Sequence, residues 1–296
     1  MNASITAENE AATLPATEPA LLKVAIQGYP GAFHDIAARR HFGESRVEIA
    51  AAATFEEMMG LVEKGGADIG LMAIENTVAG SIMGNYRLLN QSRLHATGEV
   101  YLRIRQNLLA LPGQKVEDLT EVWSHPMAIA QCQEFFRQYP HIRLVETEDT
   151  AHSAHMIQEE KLPRTGAIAS QLAASMYGLD VLAAGIETNR RNYTRFLVLE
   201  RPNGRAANDN AGKVSLCFTL PHKVGSLNSL LSVMGAYDLN LTKIQSAPII
   251  GKEWEYFFFV DFVIAGQISW QQAVDAIRPL TTDLKVLGAY PQGGHF

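Results

Sequence analysis

Cysteine is scarce. Two occur in 296 residues, Cys132 and Cys217, far apart in the chain. That excludes a disulfide framework and offers no metal-ligand spacing, so a reducing compartment is expected. An excess of positive charge is also missing. Twenty-five Lys and Arg stand against 31 Asp and Glu, a formal net charge of −6. A general nucleic-acid binder with a basic face is therefore excluded. Long apolar runs are lacking too. The most apolar stretch, YFFFVDFVIAG, is broken by Asp261, well short of the roughly 18 residues that a membrane helix needs. The first 20 residues have neither the basic region nor the apolar core of a secretory signal. They read as an unstructured tail, and a cytoplasmic protein away from the membrane is expected. No GxGxxG fingerprint and no GxSxG elbow is present. His152 and His155, in HSAH, have helical i,i+3 spacing but no third ligand at a useful distance in sequence, so no metal site is expected.

What is present is a soluble, globular composition, 47% hydrophobic and 19% charged, with length enough for two domains. From Lys23 onward, short apolar runs alternate with helical patterns. KVAIQG reads as a strand and AFHDIAARRHFG as a helix stopping at Gly43. Thr54 followed by Glu57 forms a capping-box pattern, with Gly65 as the stop. The alternation predicts α/β units with mostly parallel sheets. It ends in RPNGRAANDNAG (residues 201–212), rich in Pro, Gly and Asn, which reads as a linker. Beyond it the order is strand, helix, strand, strand, helix, strand, the ferredoxin-like βαββαβ pattern. The expected organisation is a tail (1–22), an α/β domain (23–204), a linker (205–212) and a C-terminal domain (213–296).

In open α/β sheets, ligands bind beyond the carboxyl ends of strands and against helix N-termini. Four segments place polar residues there. QGYPGAFH carries Gly31 and Ala32 at a strand-to-helix turn. AIENTVAGSI carries Glu75, Asn76, Thr77 and Ser81 after a strand. WSHPMAIAQC carries Ser124 at an expected N-cap, with Gln131 two helical turns later on the same face. NRRNYTRFLVLER sets Thr194, a hydroxyl, and Arg195, a bidentate cation, before an apolar strand that begins at Phe196. Each segment alone has an ordinary structural reading, as a turn, a cap or a solvated charge. Together they describe a cleft of neutral donors and one cation, suited to a small anion.

The same four segments, in the same order, resemble the prephenate dehydratase family over about residues 23–290. Asn192, Thr194, Arg195 and Phe196 fit N-x-T-R-F. IENTVAGS fits I-E-N-[ST]-x-x-G-S, and SHPMAIAQC fits S-H-P-x-x-x-x-Q-C. GYPGAFH is similar to G-P-x-G-[ST]-[FY]-[ST], with Ala32 and His34 where hydroxyls are usual. WEYFFFVD and LNLTKIQSAP resemble an ACT regulatory domain, although E-S-R-P reads Gln245, Ser246, Ala247, Pro248 here. The resemblance implies a two-lobed, periplasmic-binding-protein-like α/β catalytic domain with a ferredoxin-like ACT domain. It implies a carbon–oxygen lyase that converts prephenate to phenylpyruvate without a cofactor, feedback-regulated by L-phenylalanine, in a homodimer or homotetramer. It assigns catalysis to Thr194, Arg195, Asn76, Ser124 and Gln131, and substrate contact to Glu75, Thr77, Ser81, Phe196, Gly31 and Ala32. Arg195 would grip the pyruvyl carboxylate. The phenylalanine site would include Gly225, Ser226, Leu227, Asn240, Leu241 and Ser246. Two alternatives stay open: arogenate dehydratase, with the same chemistry on an amino-acid side chain, and a non-enzymatic amino-acid sensor of the same shape.

Overall fold

A computed structural model describes residues 21–202, 211–266 and 268–296. The expected tail and most of the expected linker lie outside the described residues. Leu22, read as the end of the tail, already belongs to the first strand.

The first lobe runs β1 (Leu22–Gln27), α1 (Phe33–Phe42), β2 (Val47–Ala52), α2 (Phe55–Glu63), β3 (Ile69–Asn76), β4 (Gly80–Ser81), α3 (Met83–Gln91) and β5 (His95–Arg103). The chain then crosses into a second lobe. That lobe comprises β6 (Asn107–Ala110), β7 (Glu121–Ser124), α4 (Pro126–Phe136), β8 (Arg143–Glu146), α5 (Thr150–Glu159), β9 (Thr165–Ala169), α6 (Gln171–Tyr177) and β10 (Asp180–Ala184). It returns as β11 (Tyr193–Glu200), between β3 and β5 and antiparallel to both. The C-terminal part is β12 (Lys213–Thr219), α7 (Ser226–Ala236), β13 (Leu239–Pro248), β14 (Tyr256–Ile264), α8 (Trp270–Ile277), β15 (Thr282–Tyr290) and a short β16 (Gly294–His295). Its first six elements follow the expected βαββαβ order.

Local signals act as physical chemistry dictates. Thr54 accepts from the Glu57 N–H at 3.1 Å, and the Glu57 carboxylate takes the Ala53 N–H at 3.0 Å. Asp149 caps α5 by accepting from Ala151 and His152. Ser269 and Gln272 form a reciprocal capping box on α8. Each cap satisfies N–H groups that the helix itself leaves orphaned.

The sheets are mixed rather than mostly parallel. β1, β2 and β3 pair in parallel, as do β7, β8 and β9, but the returning β11 and the crossing β6 run antiparallel. The larger sheet does not stop at the domain boundary. Its order is β13-β14-β12-β15-β5-β11-β3-β1-β2, so the C-terminal strands continue the first lobe's sheet through β15 and β5. The seam is one residue pair, Gly288 with Ala96. A Cβ on Gly288 would stand 2.2 Å from the Ala96 carbonyl oxygen, so only glycine lets the strands meet. Across the seam one apolar core joins Ile74, Tyr86 and Leu89 to Cys217, Phe259 and Leu287. After β15 the chain lays β16 alongside β5, and Phe296 exchanges backbone bonds with Tyr101 and Arg103.

Candidate active site

β11 decides the geometry of the site. Side chains of a strand alternate between faces, and this strand separates two different environments. Thr194 and Phe196 face a cleft between the lobes, while Arg195 faces the C-terminal part. The β3 side follows suit. Asn76 lies opposite Thr194 and Glu75 opposite Arg195. A bulge then leaves Ile74 as the extra residue before Phe196 meets Ala73.

The cleft holds about 390 Å³, within the usual range of small-molecule sites, roughly 300–1,000 Å³. Asn76, Gln131, Thr194, Phe196 and Ala32 line it, with Gln27, His34, Phe55, Ile104, Gln106, His125, Glu148 and Asp149 among the rest. A larger groove of about 800 Å³ beside the lobe crossing, lined by Arg39, Arg40, Arg103 and Arg105, holds none of the residues singled out from the sequence.

A chain of amides runs along the cleft wall. Gln131 Oε1 accepts from Asn192 Nδ2 at 2.9 Å and from Gln106 Nε2 at 3.4 Å. Asn76 Nδ2 donates to Asn192 Oδ1 at 2.8 Å and to Thr194 Oγ1 at 3.0 Å. Asn76 is itself fixed, because its Oδ1 accepts from the N–H groups of Val78 and Ala79. Thr194 Oγ1 thus acts as an acceptor toward Asn76. Its own proton is left to point into the cleft. Gln106 Oε1 is buried there without a partner among the described residues.

The first turn of α1 opens onto the same space. Ala32 has no hydroxyl, and the helix has no side-chain cap. Its first N–H groups are therefore free to meet an anion. His125 caps α4 instead of the expected Ser124, accepting the Met127 N–H through Nδ1 at 3.2 Å. That bond leaves Nε2 of the neutral ring as a donor. Burial lowers the His125 pKa, with Asp149 and Glu146 opposing. Burial also raises the Asp149 carboxyl, against N–H groups of His152 and Ala151 that favour the anion.

His34 stacks edge-on to Phe196 and accepts from the Ala73 N–H at 3.3 Å. Desolvation lowers its pKa from 6.5 to about 4, so the ring is neutral at physiological pH. The sign follows directly. The unfolded ring takes a proton near pH 6.5, and the folded one takes it only near pH 4. Stability is complete above the upper value and is lost as pH falls toward the lower, by at most about 3 kcal/mol. Replacing His34 by Asn is expected to flatten the pH dependence of the melting temperature in that window. An unchanged slope would mean that other groups carry it.

Several residues chosen from the sequence lie elsewhere. Arg195 does not line the cleft; its guanidinium is 5% exposed and held by Glu99, Asp261 and Tyr290 on the opposite face. Glu75 pairs with Lys243 at 2.8 Å and Ser81 accepts from the same ammonium at 2.7 Å, both on that opposite face. Ser124 is buried and donates to the Ile168 carbonyl at 2.7 Å. Thr77 donates to the Arg191 carbonyl at the lobe crossing, and Gly31 donates to Asp35 and accepts from Ser170. In the C-terminal part, Ser226 and Leu227 line a cavity of about 400 Å³ just after Gly225. Ser246 lies opposite Phe258, which lines that cavity, but Asn240 and Leu241 lie opposite Val263 and Phe262 at the far end of the same strands. At about 3.4 Å per residue the two groups are roughly 15–20 Å apart.

His125, Gln106, Glu148 and Asp149 were not singled out. His125 stands within the quoted SHPMAIAQC, and a residue preceding a helix-opening proline is a natural cap. Gln106 sits in a lobe crossing with no periodic pattern to mark it.

Two α/β lobes around a cleft lined by amides, the Thr194 and Thr150 hydroxyls and two carboxylates, with a βαββαβ unit continuing the sheet, define a two-lobed small-molecule enzyme. The profile described as prephenate dehydratase matches residues 24–204. Arogenate dehydratase 2 of Petunia hybrida is 38% identical over 292 residues, covering 93% of this chain and 73% of that protein. A solved structure described as a novel type of quorum quenching acylase superposes with a TM-score of 0.82 at 28% identity, over 91% of this chain and 98% of that one. The prephenate dehydratase of Arthrobacter aurescens, solved with L-Phe, gives 0.81 at 26%, over 91% and 90%. The chain belongs to the prephenate dehydratase family. Its reaction is the decarboxylating dehydration of prephenate to phenylpyruvate, a step of phenylalanine biosynthesis.

Proposed function

We propose that Thr194 donates the hydrogen bond that draws off the ring hydroxyl of prephenate. The C–CO₂ bond breaks and its electron pair enters the ring. The ring expels the hydroxyl, which leaves as water after taking a proton. Aromatisation drives the step, so the protein's task is to hold the substrate and stabilise the departing oxygen. The observation that carries this reading is the Asn76–Thr194 bond, which commits the Thr194 oxygen as acceptor and frees its proton for the cleft. A donor aimed where negative charge develops is worth most in a site that excludes water. The uncapped first turn of α1 and the His125 Nε2–H supply donors for a substrate carboxylate in place of Arg195. Among the described residues no Lys or Arg lines the cleft, so the ring carboxylate meets no fixed cation from them that would hold it back from leaving.

Glu148 and Asp149 line the same cleft, and they favour a second substrate. Arogenate carries an ammonium where prephenate carries a keto group. Two carboxylates suit that cation, and a 38% identical relative bears the name arogenate dehydratase.

The C-terminal βαββαβ unit acts as an ACT domain that binds L-phenylalanine and lowers turnover. Gly225, Ser226, Leu227 and Ser246 form one part of its site and Asn240 and Leu241 the other. Within one copy these stand apart, so a second copy completes the site. β13 ends the large sheet with an unpaired edge, and Val224, Ile244, Ile250 and Trp254 are exposed around it, which supports a homodimer or a tetramer. No helix among the described residues is long and apolar enough to cross a membrane, and the two buried free cysteines suit a reducing cytoplasm.

Turnover of prephenate and arogenate, each with and without phenylalanine, tests the whole reading, with the mass in solution measured on the same sample. Phenylpyruvate formed from prephenate and suppressed by phenylalanine in a dimeric species is the expected result. Product from arogenate alone would move the assignment to the second substrate. No product from either would sink it, and a catalytically competent, inhibited monomer would overturn the shared site.

A further inference from the structure

Behind the catalytic strand lies a cluster of six charges, five of them buried and the sixth, Glu75, 35% exposed at its edge. Arg195 Nε donates to Glu99 at 2.7 Å and its Nη1 donates to Asp261. Lys213 Nζ donates to both Glu99 oxygens, at 2.8 and 3.0 Å. Lys243 pairs with Glu75 at 2.8 Å, and Glu75 lies 4.0 Å from Arg195. Arg195, Glu99, Asp261, Lys213 and Lys243 side chains are all 7% exposed or less. Tyr290 accepts from Arg195 Nη2 at 3.0 Å and shares a hydrogen bond with Ser215 at 2.5 Å.

The charges are divided between two parts of the chain. The first lobe contributes one cation and two anions, Arg195 against Glu75 and Glu99. The C-terminal part contributes two cations and one anion, Lys213 and Lys243 against Asp261. Undocked, these groups would face water; docked, their formal charges cancel. Buried ion clusters are poor sources of net stability, and a hydrophobic replacement would serve stability as well. What such a cluster does provide is a fixed arrangement, because a displaced partner leaves a buried charge exposed to a low-dielectric interior.

We propose that Arg195 is a positioning residue, clamped from the C-terminal domain, that holds β11 so that its neighbour Thr194 faces the cleft in register with Asn76. The inference rests on Thr194 being the donor. Adjacent residues on a strand cannot move independently, since a twist at one turns the other. On its β3 side the strand shifts register between Arg195 and Phe196, so within the sheet only β5, which pairs regularly with both, restrains such a twist. Two anchors from outside the first lobe, Asp261 and Tyr290, restrain it. Docking of the C-terminal domain is therefore part of building the active site.

The test uses the full chain with two variants remote from the cleft, Asp261→Asn and Tyr290→Phe, each checked for folding by circular dichroism and by melting temperature. The expected result at a temperature well below melting is a fall in kcat of about tenfold for Asp261→Asn and about threefold for Tyr290→Phe. KM for prephenate should stay within about twofold, because substrate contacts are untouched and only the donor's aim changes. Partial unfolding would also lower apparent kcat at constant KM, so kcat is expressed per folded molecule from the circular-dichroism amplitude, and a fall that vanishes on that basis overturns the proposal. If Asp261→Asn does not fold, Tyr290→Phe decides alone. Unchanged kcat in a folded variant, or a rise in KM alone, overturns the proposal. A separate Thr194→Val measurement distinguishes the failures: normal turnover there removes the donor itself, whereas an inactive Thr194→Val beside normal Asp261→Asn and Tyr290→Phe removes only the clamp.

Discussion

Thr194→Val is expected to lower kcat by a factor on the order of a hundred or more, with little change in KM. Valine keeps the branched shape and volume of the side chain at Cβ and deletes only the hydroxyl. The loss to the fold is small, because Asn76 Nδ2 retains Asn192 Oδ1 at 2.8 Å and the Tyr193 carbonyl at 3.2 Å. What disappears is a donor whose proton has no other partner among the described residues. Thr194→Ser restores a hydroxyl on the same carbon and is expected to recover most of the rate. Steady-state kinetics on purified protein, following phenylpyruvate, checks both. A valine variant with near-normal turnover would place the chemistry elsewhere in the cleft.

Gly288→Ala is expected to cost the protein about 3 kcal/mol or more, and on the order of 10 °C in melting temperature. The added methyl would meet the Ala96 carbonyl oxygen at 2.2 Å and the Ala96 Cβ at 2.7 Å. Neither neighbour is the flexible end of a side chain, so the strands must part. They part at the residue pair that joins β15 to β5 of the first lobe's sheet. Gly60→Ala is the contrasting control. It lies in α2 with nothing within 4 Å of the added carbon, and alanine there is expected to raise stability by about 0.5–1 kcal/mol. Thermal unfolding of both variants beside the parent separates local crowding from a general intolerance of substitution. Equal melting temperatures for all three would show that the seam can open without cost.

Local elements were legible because their causes are local. The Thr54–Glu57 cap, the stops at Gly43 and Gly65 and the βαββαβ order all depend on residues a few positions apart. The cleft was legible in part. Asn76, Gln131, Thr194, Phe196 and Ala32, drawn from separate segments, line one cleft, since four of them stand at a strand end or a helix start and Gln131 shares a helix face with the start of α4. The error was to keep sequence neighbours together. Thr194 with Arg195, and Asn76 with Glu75, look like single motifs in one dimension, but a strand sends adjacent side chains to opposite faces. The alternation was available in the sequence. What sat behind the strand was not, because Lys213, Asp261 and Tyr290 reach Arg195 from distant parts of the chain. The seam at Gly288 was hidden for the same reason, and so was the separation of Asn240 from Gly225.

The partition made by β11 also limits how the chain can change over generations. Single substitutions can alter either face of the strand on its own. A one-residue insertion or deletion between Asn192 and Phe196 cannot, because it exchanges the two faces. The guanidinium would enter the cleft and the hydroxyl would be buried among carboxylates. Length variation in this segment is therefore confined to pairs of residues, or to compensation by a bulge like the one that already absorbs Ile74 on the neighbouring strand. The spacing of Asn192, Thr194 and Phe196 is fixed by parity as firmly as their identities are by chemistry.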